Sequence, residues 1–507
     1  MTPKRFHPQD IKAGLVVFLV AIPLCLGIAL ASGAPAFSGI IAGIVGGIIV
    51  GTISGSPLSV SGPAAGLTSI IITALGVLPS FEVFLAAVVI AGLIQLLFGA
   101  LRLGLFAGFI PSSVIMGMLA AIGLILIMKQ IPHAVGFDKD FEGDESFLQA
   151  DGHNTFSELY YAFTNPNFGA VIICLIGIGI LLLWDTRFFK SNRILSLIPS
   201  ALLVVFAGVG LNMLFAGSFS EWEMKGDHLV TLPKINSVDS LVAEIRIPDF
   251  HTAINLPIVW VTAITLALVA SIETLLSIEA ADRLDPWNRT TPPNRELVAQ
   301  GVGNIFSGML GGLPVTAVVV RSSANITAGA RTKVAAVTHG FFLLVSIMAI
   351  PSLLNLIPKS ALAAILLMVG YKLTSFKIIS KQIKKGMSQF IPFAITIVAI
   401  LLSDLLIGIL IGLVAGIYFV IKANFKSAVH LFRSGNNVLI KLNKDVSFLN
   451  KPEIRKKLNE VNDAELLLID GTNATFIDRD VQEEILTFME KAQNKNIKVE
   501  LKNIIIQ

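Results

Sequence analysis

Long apolar runs separated by short polar connections fill most of the chain. Between Ala13 and Phe81 the sequence continues for 69 residues without an Asp, Glu, Lys or Arg. A charge at the centre of a bilayer is unfavourable by about 2.5–3.5 kcal/mol, and about 20 apolar residues already cross the hydrocarbon core. The run is therefore predicted to hold several membrane-spanning segments rather than one helix.

Division of the apolar runs at charges, prolines and glycines predicts about fourteen spans. They lie near residues 12–31, 38–53, 62–77, 82–100, 110–129, 167–184, 194–216, 255–279, 294–311, 315–329, 334–354, 360–372, 388–403 and 405–422. Basic residues collect in the N-terminus and in every second loop, whereas loops 131–165 and 217–252 are mainly acidic. Because Lys and Arg are enriched on the cytoplasmic side, we expect both termini to be cytoplasmic in a cell (inner) membrane protein.

The end of the chain has a different composition. The 72 residues from Asn436 contain 23 charged residues, 11 basic and 12 acidic, between short apolar runs. VLIKL, AELLLID and IKVELKNIII have the pattern of strands, and PEIRKKLNEV and DVQEEILTFMEKAQNK that of helices. The pattern predicts a transmembrane domain over residues 1–433 and a small cytoplasmic α/β domain over residues 434–507.

Two of the predicted spans have the composition of interrupted helices. SPLSVSGPAAGLTSIIITALG (56–76) and GGLPVTAVVVRSSANITAG (311–329) each begin with an extended Gly/Pro-rich or β-branched stretch and then become helical. A pair of such segments, one in each half, indicates an inverted-repeat transporter whose substrate lies between two half-helix N-termini. Those termini favour an anion. The alternative is a pair of ordinary kinked helices.

Two charged side chains fall within these apolar surroundings. Arg321 lies seven residues after Pro314 and either raises the positive potential at an anion site, neutralises a carboxylate or extends to the interface. Glu273 follows the apolar run that begins at Phe250, and Ser277 lies one turn further on. Such an acid can bind a proton or a cation during transport, or form a salt bridge.

The remaining composition excludes other classes. Hydrophobic residues make up 54% of the chain and charged residues 14%. Cys25 and Cys174 both lie in apolar runs, so neither a disulfide framework nor a metal site is expected. Enzyme signatures are absent from the sequence, with no CxxC, Walker A loop or GxSxG motif. The glycines spaced by four between Gly39 and Gly55 are attributed to helix packing.

Four segments resemble the SulP family of inorganic anion transporters, which corresponds to the SLC26 carriers of animals. They are AIPLCLGIALASGAP (21–35), SVSGPAAGLTSII (59–71), IETLLSIEAADRL (272–284) and GGLPVTAVVVRSSANITAGARTK (311–333). The resemblance extends over essentially the whole chain, including a C-terminal domain that resembles STAS (sulfate transporter and anti-sigma antagonist) domains. It implies two inverted seven-helix repeats, near 12–216 and 255–422, forming core and gate domains in a homodimer.

The resemblance also implies which residues form the site. The anion is expected between the starts of the third and tenth segments, with the first segment as a wall and an arginine behind. Carried onto this sequence, the substrate-binding residues are Pro23, Leu24, Ser61, Gly62, Pro63, Ala64, Ala317, Val318, Val319 and Arg321. The cation-coupling residues are Glu273, Ser277, Ala317 and Val319, with Glu273 and Ser277 as the Na⁺ ligands if sodium is the coupling ion.

Three positions differ from the sodium–bicarbonate branch that the resemblance suggests. That branch has Asp where this chain has Glu273, Thr where it has Ser277, and Thr where it has Val319. A longer acid and one lost hydroxyl leave both Na⁺ and H⁺ open as coupling ion. In the STAS-like part, Arg479 and Asp480 occupy the place of serines, which argues against phosphoregulation there.

The sequence therefore predicts a secondary active transporter of a small inorganic oxyanion, with bicarbonate ahead of sulfate. Bicarbonate is favoured because the segment 311–333 is similar to that of SulP members found alongside carbonic anhydrase, which suggests an association with that enzyme. Proton-coupled sulfate or dicarboxylate symport, and an uncoupled anion exchanger or channel, are the alternatives. A sensor that signals through the STAS-like domain is a third class. No cofactor and no nucleic-acid partner are expected.

Overall fold

The computed structural model describes residues 7–105, 110–138, 154–164, 166–186, 189, 198–231, 244–403, 405–426, 429–463, 465–493 and 495–504. Two compact units emerge, one of residues 1–384 with 393–413 and one of residues 385–392 with 414–507. The loop acids numbered 140 to 151, the bases at 187, 190 and 193, and the acid at 404 fall outside the described residues. The predicted domain boundary at 433/434 stays a prediction.

The first half of the chain forms seven apolar segments. They are α1 (Pro8–Ala31), α2 (Ala36–Ile53), β1 (Ser61–Pro63) with α3 (Thr68–Val77), α4 (Phe81–Ala100), α5 (Ser112–Val135), α6 (Thr155–Thr164) with α7 (Phe168–Trp184), and α8 (Ser200–Ser218). Ser80 and Asn167 cap α4 and α7 through side-chain oxygens that accept hydrogen bonds from first-turn N–H groups.

The second half forms a corresponding series. It comprises α9 (Phe250–Ile254), α10 (Pro257–Leu284), α11 (Pro293–Met309), β2 (Val315–Ala317) with α12 (Val319–Thr327), α13 (Val334–Ala349), α14 (Pro351–Leu354), α15 (Lys359–Leu373), α16 (Phe376–Lys384), α17 (Met387–Leu402) and α18 (Leu405–Lys426). Proline stands at the first helical turn of α10 and of α11, where its missing N–H removes no helical hydrogen bond.

The predicted spans are confirmed as elements, because each of the fourteen ranges contains a helix. In the part of the chain that is described, seven helices are long and apolar enough to cross a bilayer by length and composition, and up to eight if α6 and α7 form one span. Four shorter apolar helices are also present among the described residues, and one of them, Ala65–Val77, belongs to the first interrupted segment. The chain is a polytopic α-helical membrane protein.

The helix contacts are reciprocal: a contact between two helices recurs between their two counterparts in the other half of the chain. Helix α1 packs against α13, and its counterpart α10 packs against α4. Likewise α4 packs against α11, and the counterpart contact joins α13 to α2. Two further pairs, α5 with α15 and β1 with β2, each join an element to its own counterpart. These reciprocal contacts are those of two inverted repeats that interlock around the β1–β2 pair.

Glycine allows the closest of these helix contacts. A Cβ added at Gly39 would lie 1.9 Å from the Cys25 carbonyl oxygen, and one at Gly47 would lie 2.6 Å from Cα of Gly340. These distances leave no space for a side chain. The glycine face of α2 therefore packs against α1 and α13, as expected from its spacing.

The second unit holds a separate small sheet. Its strands run in the order β3 (Val429–Ser434), β4 (Asn437–Leu442), β5 (Leu466–Asp470) and β6 (Lys498–Lys502). The β3–β4 pair is antiparallel and the other two pairs are parallel. Helices α19 (Lys451–Asn459) and α20 (Arg479–Gln493) connect the parallel strands, so the predicted α/β fold is confirmed.

An acidic side chain links two loops of the first unit at one end of the helices. The carboxylate of Asp138 accepts hydrogen bonds of 2.6 Å from Nδ1 of His133, at the end of α5, and from Nδ1 of His228. Burial opposes ionisation of Asp138, but these two bonds prevail and hold its pKa below the ordinary value. The bond to Asp138 also raises the pKa of His228, against the opposing effect of burial.

We predict that this contact stabilises the protein most below neutral pH. Because the pKa of His228 is raised in the folded state, its contribution is complete below the unfolded value of about 6.5 and is lost as the pH rises through the folded value. The unfolding temperature of the wild type should fall between pH 6 and pH 8.5 more than that of His228→Gln. His251→Gln, at an exposed histidine of α9, should behave as the wild type, and identical pH profiles for all three proteins would refute the assignment.

Candidate functional site

The two interrupted segments meet as a short antiparallel ladder within the first unit. Ser61 pairs with Ala317, Gly62 with Thr316 and Pro63 with Val315. The ladder is extended by a hydrogen bond of 3.0 Å from the N–H of Val318 to the carbonyl of Val60. All six ladder residues are buried. The alternative of two ordinary kinked helices is therefore not what the chain adopts.

Both segments become helical directly after the ladder. On one side a 3₁₀ turn at Ala65–Leu67 leads into α3, and on the other α12 begins at Val319. Because the strands are antiparallel, the two helices leave from opposite ends of the ladder with both N-termini directed back toward it. Neither N-terminus carries a side-chain cap. Their unpaired N–H groups and positive dipole ends favour an anion beside the ladder.

Arg321 lies directly behind the ladder. The side chain is fully buried, and its Nη2 donates to Sγ of Cys25 on α1 at 3.2 Å. A Cβ added at Gly62 would lie only 1.8 Å from Nη1 of this arginine, so the guanidinium packs against the bare backbone of β1. The arginine does not extend to a membrane interface. Its charge adds to the positive potential of the two helix ends.

Helix α10 brings a carboxylate to the same place. Glu273 is half-buried, and a Cβ added at Gly66, in the turn after β1, would lie 3.0 Å from its Oε1. The next residue, Thr274, is fully buried, and its hydroxyl oxygen accepts a hydrogen bond of 3.3 Å from the N–H of Ala317. Glu273 therefore lies beside the start of the α3 segment, and the adjacent Thr274 holds β2 in place through its hydrogen bond to Ala317.

The other predicted site residues occupy the surrounding elements. Pro23 and Leu24 are buried on α1, Ala64 follows β1, and Val319 is the buried first residue of α12. Val318 is half-buried, and Ser277 is buried one turn beyond Glu273. The structure thus brings the ladder, Arg321 and Glu273 together. Their roles in binding the substrate or a cation stay predictions.

A buried polar chain on α11 supports β1. Nε2 of Gln300 donates to the Ser61 hydroxyl at 2.7 Å and to Oε1 of Glu296 at 3.2 Å. Oε2 of Glu296 accepts the hydroxyl hydrogen bond of Ser54 at 2.6 Å. Glu296 and Gln300 are both fully buried. Since a buried polar group without a partner is unfavourable, this chain fixes Ser61 in one position.

The same helix face supports β2. The amide of Asn304 accepts from the N–H of Val315 at 2.5 Å and donates to the Val315 carbonyl at 3.0 Å. Its Nδ2 also donates to Oε1 of Gln95 on α4 at 2.6 Å. On the side of β2 away from β1, the side chain of Asn304 thereby makes the hydrogen bonds that a neighbouring strand would otherwise make.

Sequence reasoning did not identify these supporting residues. Glu296, Gln300 and Asn304 are spaced by four, so they share one face of α11. A polar face of that kind on an otherwise apolar membrane helix was the available signal. Thr274 had no such signal, because a lone threonine beside Glu273 does not indicate a contact with β2.

Two cavities of unequal size lie at opposite ends of α1. One of about 380 Å³ includes Lys12 and Val16 of α1, Ala324 and Thr327 of α12, and Lys372 of α15. The other, of about 40 Å³, is lined by Pro23, Leu26, Gly27, Leu30, Val230, Thr231 and Lys359. The larger cavity therefore borders both α1 and α12 at the end that carries Lys12, and the smaller one borders α1 at the end that carries Leu30.

Comparisons with known sequences identify a family. Residues 8–421 match the sequence profile of the sulfate permease family. YvdB of Bacillus subtilis, which carries a provisional sulfate-transporter name, is 27% identical over 426 residues, or 83% of this chain and 75% of YvdB. The bicarbonate transporter BicA of Picosynechococcus sp. is 26% identical over 381 residues, or 73% of this chain and 62% of BicA. The match thus spans less than two thirds of that relative.

Solved structures show the same fold. The transmembrane domain of a cyanobacterial BicA superposes with a TM-score of 0.54 at 23% identity, covering 81% of this chain and 97% of that chain. Murine Slc26a9 in the inward-facing state superposes with a TM-score of 0.68 at 16% identity, covering 100% of this chain and 87% of that chain. At these identities the likeness concerns the fold alone.

Gly62→Ala should abolish or strongly reduce anion uptake. The added methyl group would overlap Nη1 of Arg321, and overpacking of this kind is unfavourable by about 1–3 kcal/mol. Gly76→Ala on α3 is the control, since a Cβ there meets no atom within 4 Å. The measurement is initial uptake in proteoliposomes with matched protein content. Equal uptake by the two variants would show that the arginine does not need the bare backbone of β1.

Asn304→Ala should raise the KM for the transported anion. It leaves the buried N–H and carbonyl of Val315 without their side-chain partner, at about 1–3 kcal/mol for each group, and releases β2. Asn212→Ala is a matched control, because Asn212 makes the same pair of bonds, of 2.8 and 3.1 Å, to Met224 outside the site. Both variants should unfold at lower temperature, but only Asn304→Ala should change KM. A similar KM change in both would reduce Asn304 to a general stabilising role.

Proposed function

The chain belongs to the sulfate permease family, and on that premise we propose that it is a secondary active transporter of a small inorganic oxyanion, with bicarbonate as the first candidate. The observation that carries the proposal is the buried β1–β2 ladder, which is flanked by two uncapped helix N-termini and backed by Arg321. Backbone dipoles and one guanidinium suit a small anion rather than a cation or a neutral solute.

The carboxylate beside the ladder supports coupled transport. An ionised Glu273 next to the turn after β1 opposes the binding of an anion, whereas a bound proton or Na⁺ removes that opposition. Anion and cation then increase each other's affinity, as reciprocal linkage requires. Glu273, with Ser277 one turn away, is the proposed coupling site for H⁺ or Na⁺. A channel or an uncoupled exchanger would gain nothing from an acid at this position.

The unequal cavities support alternating access. The larger one reaches α12 three residues from Arg321 and α1 two turns before Pro23, so it opens toward the site from the end with Lys12. We assign this end to the cytoplasm on the basis of the loop charges. The conformation is then inward-facing, and the narrow space around Leu30 is the closed outer path. We further propose a cell-membrane homodimer with a STAS-like cytoplasmic domain.

Sulfate is the second candidate substrate. The name of YvdB favours it, and the ladder itself selects for small size and negative charge more than for one oxyanion. The experiment that separates the candidates is uptake of labelled bicarbonate and of labelled sulfate into proteoliposomes, each under an imposed Na⁺ gradient or H⁺ gradient alone. We expect concentrative bicarbonate uptake under one of the two gradients. Concentrative uptake of sulfate alone would establish the second candidate, and gradient-insensitive flux would establish the uncoupled class.

Glu273→Gln should abolish concentrative uptake but retain exchange of labelled anion across the membrane. The neutral amide resembles the protonated acid, so the anion can still bind. Because the amide takes up neither H⁺ nor Na⁺, the ion gradient no longer drives transport of the anion. Glu279→Gln is the control on the same helix, because Glu279 forms an ion pair of 3.0 Å with Arg283 away from the ladder. Full accumulation by Glu273→Gln would contradict the coupling assignment.

A further inference from the structure

Cys25 is the one hydrogen-bond acceptor that the described part of the chain offers to the buried guanidinium of Arg321. Nη2 donates to Sγ of Cys25 at 3.2 Å, whereas Nε and Nη1 have no hydrogen-bond partner among the described residues. Buried polar groups are nearly always hydrogen-bonded, and an arginine inside a membrane segment is commonly paired with a carboxylate or a backbone carbonyl. A thiol in that place therefore requires an explanation.

The glycines around the sulfur show how closely the two side chains are confined. Cys25 is fully buried on α1. A Cβ added at Gly43 of α2 would lie 2.6 Å from its Sγ and 3.9 Å from Nη1 of Arg321. A Cβ added at Gly62 of β1 would lie 1.8 Å from the same Nη1. The thiol and the guanidinium thus share one narrow space between α1, α2 and β1, where neither can move far from the other.

A thiol differs in its chemistry from the other acceptors that could occupy this position. Its sulfur is a weak hydrogen-bond acceptor and, when protonated, carries no charge. A carboxylate at the same distance would cancel most of the guanidinium charge, because opposite charges attract each other strongly at low dielectric. The thiol can therefore fix the direction of the guanidinium and still leave the positive potential that an anion at the β1–β2 ladder needs.

We propose that Cys25 is the positioning residue of Arg321: its neutral sulfur holds the guanidinium against β1 and leaves the guanidinium charge available to the anion. The inference rests on the proposed function, because it needs an anion at the ladder. It gives α1 a second role, since the same helix carries Pro23 and Leu24 of the predicted site. Position 25 should then tolerate a neutral hydrogen-bond acceptor and exclude an acid.

The test is the dissociation constant of the full-length protein for sulfate and for bicarbonate, measured by titration calorimetry. Cys25→Ala removes the acceptor and should weaken anion binding about tenfold, as expected for the loss of a hydrogen bond to a charged group. Cys25→Ser keeps an acceptor in a smaller side chain and should recover most of that loss, whereas Cys25→Asp should abolish binding. Cys174→Ala is the matched control, because it removes a buried thiol from α7. It should lower the unfolding temperature and leave the dissociation constant unchanged.

Arginine ¹⁵N NMR supplies a readout that a merely structural role of Cys25 would not change. A guanidinium held through one nitrogen rotates slowly about its Cζ–Nη bonds. Arg321, assigned by the loss of its signals in Arg321→Lys, should therefore give separate Nη1 and Nη2 signals in the wild type and in Cys25→Ser. The two signals should merge in Cys25→Ala.

The other possible results separate this inference from the function on which it rests. Wild-type affinity in Cys25→Ala, or anion binding by Cys25→Asp, would overturn the role of Cys25. Equal losses in Cys25→Ser and Cys25→Ala would do so as well, because they would show that the size of the sulfur matters and not its hydrogen bond. Failure of the wild type to bind either anion would instead contradict the proposed function. If Cys25→Ala does not fold, the wild-type spectrum decides: separate Nη signals support the inference, and merged signals refute it.

Discussion

The antiparallel pairing of β1 with β2 is the contact on which the rest of this membrane unit depends. Non-helical backbone at membrane depth is tolerated only where its polar groups are satisfied within the protein. The ladder supplies those partners for Ser61–Pro63 and Val315–Ala317, and α11 supplies further ones through Gln300 and Asn304. Two helices can therefore begin in the middle of the protein, next to the buried ladder rather than in lipid.

Charge placement around the ladder underlies the proposed coupling of an anion to a cation. Arg321 packs against Gly62, and Glu273 lies beside Gly66. Opposite charges therefore lie close to the N-termini of the two helices, and this placement does not require a direct bond between the two side chains. An anion is attracted by the arginine and helix ends and opposed by the acid. In the proposed function, neutralisation of Glu273 is the way in which cation binding and anion binding become linked.

Much of this architecture was predictable because a membrane restricts what a sequence can do. Charge-free runs and loop charges predicted the spans, and Gly/Pro-rich breaks predicted that 56–76 and 311–329 begin as extended segments. The direct pairing of those segments was not predicted, since nothing local in SGP or VTA specifies a partner some 250 residues away. Gln300 and Asn304 were missed because their role depends on that pairing. A single residue such as Thr274 gains meaning only from its neighbours in the fold.

Direct detection of the anion beside Arg321 tests the central claim most closely. Solid-state NMR of the protein in lipid, with ¹⁵N-labelled arginine and ¹³C-bicarbonate, measures short-range dipolar coupling between the guanidinium and the bound ion. The account predicts coupling to one arginine, which disappears in Arg321→Lys while the remaining arginine signals are unchanged. Coupling that survives this substitution, or bicarbonate that saturates uptake without coupling to any arginine, would place the anion elsewhere and contradict the account.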